Sequence, residues 1–188
     1  MGEPYGSKKL VYARPFADGL IASSEFRTWV LGRAGLGDMA SGSEVLNEEM
    51  KAARSKTAST WWRSHYTGKC LCDGCRGGQE TDLLAIFQLR NTARFALHVE
   101  VKQPRDRFPA HKDQAANYTL RAKCWAGSPP SAVLLHSGFQ TMLLCSTLKT
   151  DDYSAHLPKF GSIATFEEIS ALFSTINFPN LHSGSSIA

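Results

Sequence analysis

The order of its apolar segments gives this chain an α/β fold, one sheet with helices packed on it. Three observations predict it. Two strand-like runs stand back to back between residues 81 and 103, and a helical stretch with hydrophobic spacing follows to about residue 125. Beyond it come two short, continuous apolar runs, Ala132-Val-Leu-Leu135 and Thr141-Met-Leu-Leu-Cys145, of the kind found in buried strands. Bulk properties agree. The 188 residues suit one domain, and 43% hydrophobic with 20% charged residues excludes wholesale disorder.

The elements are expected as follows. Residues 1–40 are rich in glycine and aromatic residues, irregularly spaced around Phe16, Phe26 and Trp29. They read as an N-terminal extension that packs on the domain with a short strand and helix. Ser41 or Ser43 opens a helix to about Trp62, with Glu44, Glu48 and Glu49 early and Lys51, Arg54 and Lys56 late, as the helix dipole favours. Residues 64–79 form a polar loop rich in Gly and Cys. Strands at 81–89 and 94–103 are joined through Arg90-Asn91-Thr92 as a hairpin.

Pro104 and Pro109 bracket a basic loop, and a helix over 110–125 stops before Gly127-Ser-Pro-Pro130. Strands at 132–135 and 141–145 come next. Thr165 with Glu168 makes a capping box for a last helix over 166–176. The domain is expected to span 41–180, with 181–188 a loose tail.

The chemistry concentrates between residues 82 and 118. Alternation along a strand puts His98, Glu100 and Lys102 on one face and Leu97, Val99 and Val101 on the other. Asp82 opens the preceding strand, so hairpin pairing would set its carboxylate beside Glu100. Two carboxylates with a carbonyl and waters can seat Mg²⁺ (or Mn²⁺), which polarises a phosphodiester while Lys102 assists the attacking water. Glu100 and Lys102 read equally as a solvated strand face, and Asp82 as a turn residue. Gln114 and Tyr118, four apart, share a helix face with His111, Arg121 and Trp125.

The combination Asp82, Glu100-x-Lys102, Gln114-x-x-x-Tyr118 resembles the PD-(D/E)xK nuclease superfamily, most closely its RecB- and lambda-exonuclease-like branch. The resemblance covers about residues 43–145. It implies a restriction-endonuclease-like central mixed sheet flanked by helices, and metal-dependent hydrolysis of DNA. It implies that Asp82, Glu100 and the carbonyl of Val101 are metal ligands, with a glutamate on the first helix completing the set, Glu48 first and Glu44, four residues earlier on the same face, second. By the same resemblance Lys102 is the catalytic lysine, and Gln114 and Tyr118 shape the site and contact nucleic acid. Thr81 stands where the family's proline often precedes the aspartate. The superfamily includes inactive members, so the alternative is a catalytically silent nucleic-acid-binding or protein-interaction module.

Arg105, Arg107, Lys112, Arg121 and Lys123 are candidate phosphate contacts around this cleft, or a solvated surface. The formal charge of +4 and pI near 8.8 are compatible with DNA without requiring it. His65, Cys70, Cys72 and Cys75 are candidate zinc ligands that would order the polar loop; ordinary thiols are the other reading. Five cysteines, an odd number, do not resemble a secreted disulfide framework. No apolar run approaches the ~20 residues that span a bilayer, and the first residues carry no apolar signal segment. A cytoplasmic protein without a membrane partner is the expectation.

Overall fold

The computed structural model describes residues 7–54, 60–67, 79–109 and 113–179. Among them the chain is mixed α/β. Its helices are α1 (Ser7–Ala22), α2 (Ser24–Arg33), α3 (Asn47–Ala53), α4 (Gln114–Trp125) and α5 (Phe166–Leu172). Its strands are β1 (Glu44–Val45), β2 (Arg63–Thr67), β3 (Gln79–Gln88), β4 (Arg94–Val101), β5 (Gly138–Cys145) and β6 (Ser162–Thr165). They form one sheet in the order β1-β3-β4-β5-β6, with β2 also paired to β3. The first pairings are antiparallel, and β4-β5 and β5-β6 are parallel.

The centre of the sheet explains the unbroken apolar text of its strands. Leu83 through Phe87 are all fully buried, as are Ala96, Leu97, Val99 and Val101. Alternation still sorts them. On β5, Met142 and Leu144 join the large cluster that includes Phe16, Leu20 and Phe26, whereas Leu143 and Cys145 join Ala115 and Tyr118 of α4. Half of the expected capping box is present: Glu168 N donates to Thr165 Oγ1 at 3.3 Å, while the Glu168 carboxylate pairs with Arg33.

Several expectations are corrected. The region before the polar loop is not one long helix. Leu46 N donates to Ile86 O, which draws residues 44–46 onto the edge of β3 and, among the described residues of this region, leaves Asn47–Ala53 helical. Trp61 and Trp62 are both buried, and two adjacent buried side chains suit an extended chain better than one helix face. Trp62 O accordingly accepts from Leu84 N. Residues 132–135 are not a strand: Val133 N turns back to Pro130 O, and Leu135 is 61% exposed. The helix over 110–125 is described from Gln114, with Asp113 as its N-cap. The last helix ends at Leu172, where Phe173 takes the C-cap position.

The N-terminal segment differs most. It holds two helices, the first with the buried stripe Ala13, Phe16, Ala17 and Leu20 at helical spacing. Pro15 and Gly19 inside α1 disguise it, since each disfavours a helix interior. Gly19 is there for close approach: a Cβ would stand 2.6 Å from Ile176 Cδ1 and 3.0 Å from Phe26. Ser23 caps α2, accepting from Phe26 N at 3.1 Å. No helix among the described residues is long and apolar enough to cross a membrane.

Candidate active site

The site grows out of the β3-β4 register. Leu83 pairs with Val99, so one further step sets Asp82 opposite Glu100, and opposed residues of an antiparallel pair point the same way. Asp82 is fixed by one main-chain and one side-chain partner. Its Oδ2 accepts from Val101 N at 2.9 Å, and its own N–H donates to the Tyr118 hydroxyl at 3.1 Å. Glu100 is wholly buried, and its Oε1 accepts from Lys102 Nζ at 2.8 Å and Gln114 Nε2 at 3.0 Å. Lys102 Nζ also donates to Gln114 Oε1 at 2.9 Å, closing a triangle of acid, base and amide. The Phe108 ring lies 4.4 Å from that ammonium.

A second ammonium enters from α1. Lys9 Nζ lies 2.9 and 3.1 Å from the two Asp82 oxygens and 3.7 Å from Glu100 Oε1. Both carboxylates therefore lie within 4 Å of one cationic nitrogen. Sequence reading did not find Lys9. Its signal was its position four residues before Ala13, in line with the buried stripe, which is legible only once residues 7–22 are read as a helix.

The two acids are tuned apart. Burial and the Glu100 charge push the Asp82 carboxyl well above the ordinary range, against the opposing pull of Lys9 and the Val101 N–H. Burial works the same way on Glu100, but Lys9 and Lys102 together outweigh it and hold that group below the usual range. Lys9 loses from burial and gains more from Glu100 and Asp82, so its ammonium is firmly charged. Burial raises the Tyr118 phenol well above its ordinary value.

Comparison of the chain with family models, with curated proteins and with solved structures finds no match.

The other expected residues distribute unevenly. Gln114, half-buried, donates to Glu100 and accepts from Lys102, and Tyr118 is fully buried behind Asp82. Glu48 is not brought to the pair. It is exposed in the first turn of α3, with Oε1 accepting from Asn47 Nδ2 at 3.0 Å. Arg121 is not a surface contact: it is 1% exposed, its guanidinium 4.4 Å from the Tyr118 ring centre and 5.9 Å from that of Trp125. Arg105 and Arg107 are exposed on the loop after β4, and Lys123 is exposed on α4.

His98 is buried beside Trp125 and His136, with ring centres 5.4 and 6.3 Å away. Cys70, Cys72, Cys75 and Lys112 lie outside the described residues, as does the side chain of His65.

The chemistry of the donor set can be weighed against a divalent cation. Among the described residues no group of three His, Cys, Asp or Glu side chains converges, so the acid pair stands alone. Yet the Tyr118 hydroxyl helps hold Glu100 ionised while no donor reaches Glu100 Oε2 with hydrogen-bond geometry. A buried carboxylate oxygen without a donor is costly, and a hard cation satisfies it. In that respect the pair fits. Near it, Arg107, Phe108, Asp152, Tyr153 and His156 line a cavity of about 330 Å³, with Phe108 the wall nearest Lys102.

Proposed function

We propose that this protein is a divalent-metal-dependent nuclease that hydrolyses phosphodiester bonds of DNA. The observation that carries the reading is two buried strand carboxylates side by side, with the Lys102 ammonium on Glu100. Asp82 and Glu100 would hold Mg²⁺ or Mn²⁺, with the Val101 carbonyl as the third ligand that the PD-(D/E)xK resemblance implies. When bound, such an ion supplies Lewis-acid stabilisation of charge on the phosphodiester.

The remaining work falls to the chain itself. Gln114 holds Glu100 and Lys102 in one fixed arrangement, so little reorganisation is needed when charge develops. Lys102, 4% exposed and held by two acceptors, is a preorganised donor that steadies an attacking water or the charge on a phosphoryl oxygen. Exposed Arg105 and Arg107 on the following loop supply positive charge for the strand backbone.

The test is direct. Purified protein with Mg²⁺ or Mn²⁺ is offered single- and double-stranded DNA. Cleavage should vanish with EDTA and fall by roughly 10²-fold or more in Lys102→Ala, the range for loss of a preorganised donor. Failure to cut either substrate with either metal overturns the proposal. One observation favours a second reading, a silent nucleic-acid-binding module: Lys9 and Lys102 together already neutralise the acid pair. That reading expects salt-sensitive DNA binding without turnover, unchanged in Glu100→Gln.

A further inference from the structure

Lys9 is the cation that the nuclease reading leaves without a role. Every oxygen of the acid pair except one is engaged. Asp82 Oδ1 accepts from Lys9, and Oδ2 is shared between Lys9 and Val101 N. Glu100 Oε1 faces Lys102, Gln114 and, at 3.7 Å, Lys9. Only Glu100 Oε2 has no donor in full hydrogen-bond geometry, the Tyr118 hydroxyl being its electrostatic neighbour. A cation that takes both carboxylates therefore competes with the Lys9 ammonium for their oxygens.

The two lysines differ in their freedom to leave. The Lys102 side chain is 4% exposed and pinned by Glu100, Gln114 and Phe108, whereas that of Lys9 is 29% exposed. Lys9 is also the third residue of α1, in a first turn with no acidic residue. A positive charge there opposes the helix dipole, and a terminal turn is the part of a helix that opens at least cost. The acid pair holds the lysine in; the local helix does not.

The geometry points to Lys9 as a displaceable internal cation: its ammonium ties Asp82 to Glu100 in the metal-free protein and withdraws to solvent when a divalent ion takes their oxygens. Lys9 thereby sets how tightly the site binds metal. The inference rests on the nuclease reading only in that the acid pair receives such an ion.

Isothermal titration with Mn²⁺ alone, without DNA, tests it on the full chain. Lys9→Gln should bind Mn²⁺ about tenfold more tightly than wild type, an ordinary size for coupling between two competing interactions. Its melting temperature in EDTA should be lower, and Lys9→Arg, which keeps the charge, should stay near wild type in both. An independent readout uses the unmodified protein. Labelling by an amine-specific reagent, followed by mass spectrometry, should rise several-fold at Lys9 on saturation with Mn²⁺ but stay low at Lys102.

Equal Mn²⁺ affinity in wild type and Lys9→Gln, with no change in labelling at Lys9, overturns the inference and leaves the nuclease reading standing. Absence of Mn²⁺ binding in both proteins overturns the two together. Tighter binding by Lys9→Gln without DNA cleavage upholds the role of Lys9 and removes the nuclease. Should Lys9→Gln not fold, the labelling result on the wild type decides.

Discussion

Tyr118 shows how much one buried atom carries in this site. Its hydroxyl accepts the Asp82 N–H at 3.1 Å inside a fully buried environment. Tyr118→Phe keeps the ring, and with it the stacking of Arg121, but strands that N–H without an acceptor. A buried donor left unmade costs about 1–3 kcal/mol, so chemical denaturation should show a loss in that range; an unchanged midpoint would refute the role assigned to the bond. His136 makes a second residue-scale case. Burial holds its imidazole below the ordinary histidine range, with the hydrogen bond at the Leu134 carbonyl opposing. A folded-state pKa below the unfolded one means that the unfolded chain takes up more protons as pH falls. The stability His136 contributes is thus complete above the ordinary histidine pKa of about 6.5 and is lost as pH falls from there through the lower folded-state value. Melting temperature should fall from about pH 7.5 to 5, the window in which histidine titrates, and less so in His136→Asn. Equal slopes in the two proteins would place the sensitivity elsewhere.

At the scale of elements, helices were legible where chemistry marks their ends and hidden where the interior breaks propensity. The Thr165-x-x-Glu168 box announced α5, and Thr165→Ala should cost about 1 kcal/mol, the usual worth of such a cap, in urea denaturation. An effect below a few tenths would mean that Phe166 and Ile169, both fully buried, anchor the helix alone. The first helix was missed because Pro15 and Gly19 interrupt it, yet packing overrides propensity there: Phe16 and Leu20 are wholly buried in the main cluster. Phe16→Ala should lose about 3–5 kcal/mol by transfer and cavity terms together. If α1 is instead a loosely attached extension, the loss will be near zero and the melting curve unmoved. The same miss concealed Lys9, since a lysine can be assigned to a site only after its helix is seen. The opposite error produced the overlong helix before the polar loop, where well-placed acids and bases were read without the sheet edge that claims residues 44–46.

For the whole molecule, the pairing of β3 with β4 was legible because period-two alternation and a short turn fix register, and register alone brings Asp82 to Glu100. Burial was not legible. His98, Glu100, Lys102 and Arg121 read as an open polar face, but α4 packs against β4 and β5 and closes it, so polar residues that sequence assigns to solvent sit inside. That difference bears on how DNA would be held. With Arg121 buried, the candidate phosphate contacts that remain exposed among the described residues are Arg105, Arg107 and Lys123. Three such contacts predict a shallow salt dependence, a slope of about −3 in log binding constant against log salt on duplex DNA. Arg105→Ala and Arg107→Ala should each weaken binding to all sequences alike and flatten the slope by about one. Arg121→Ala should instead lower thermal stability, since its guanidinium packs between Tyr118 and Trp125, while the slope stays as it was. A slope near −8, or one that changes with Arg121 and not with the loop arginines, would show that DNA is gripped by a surface other than this one.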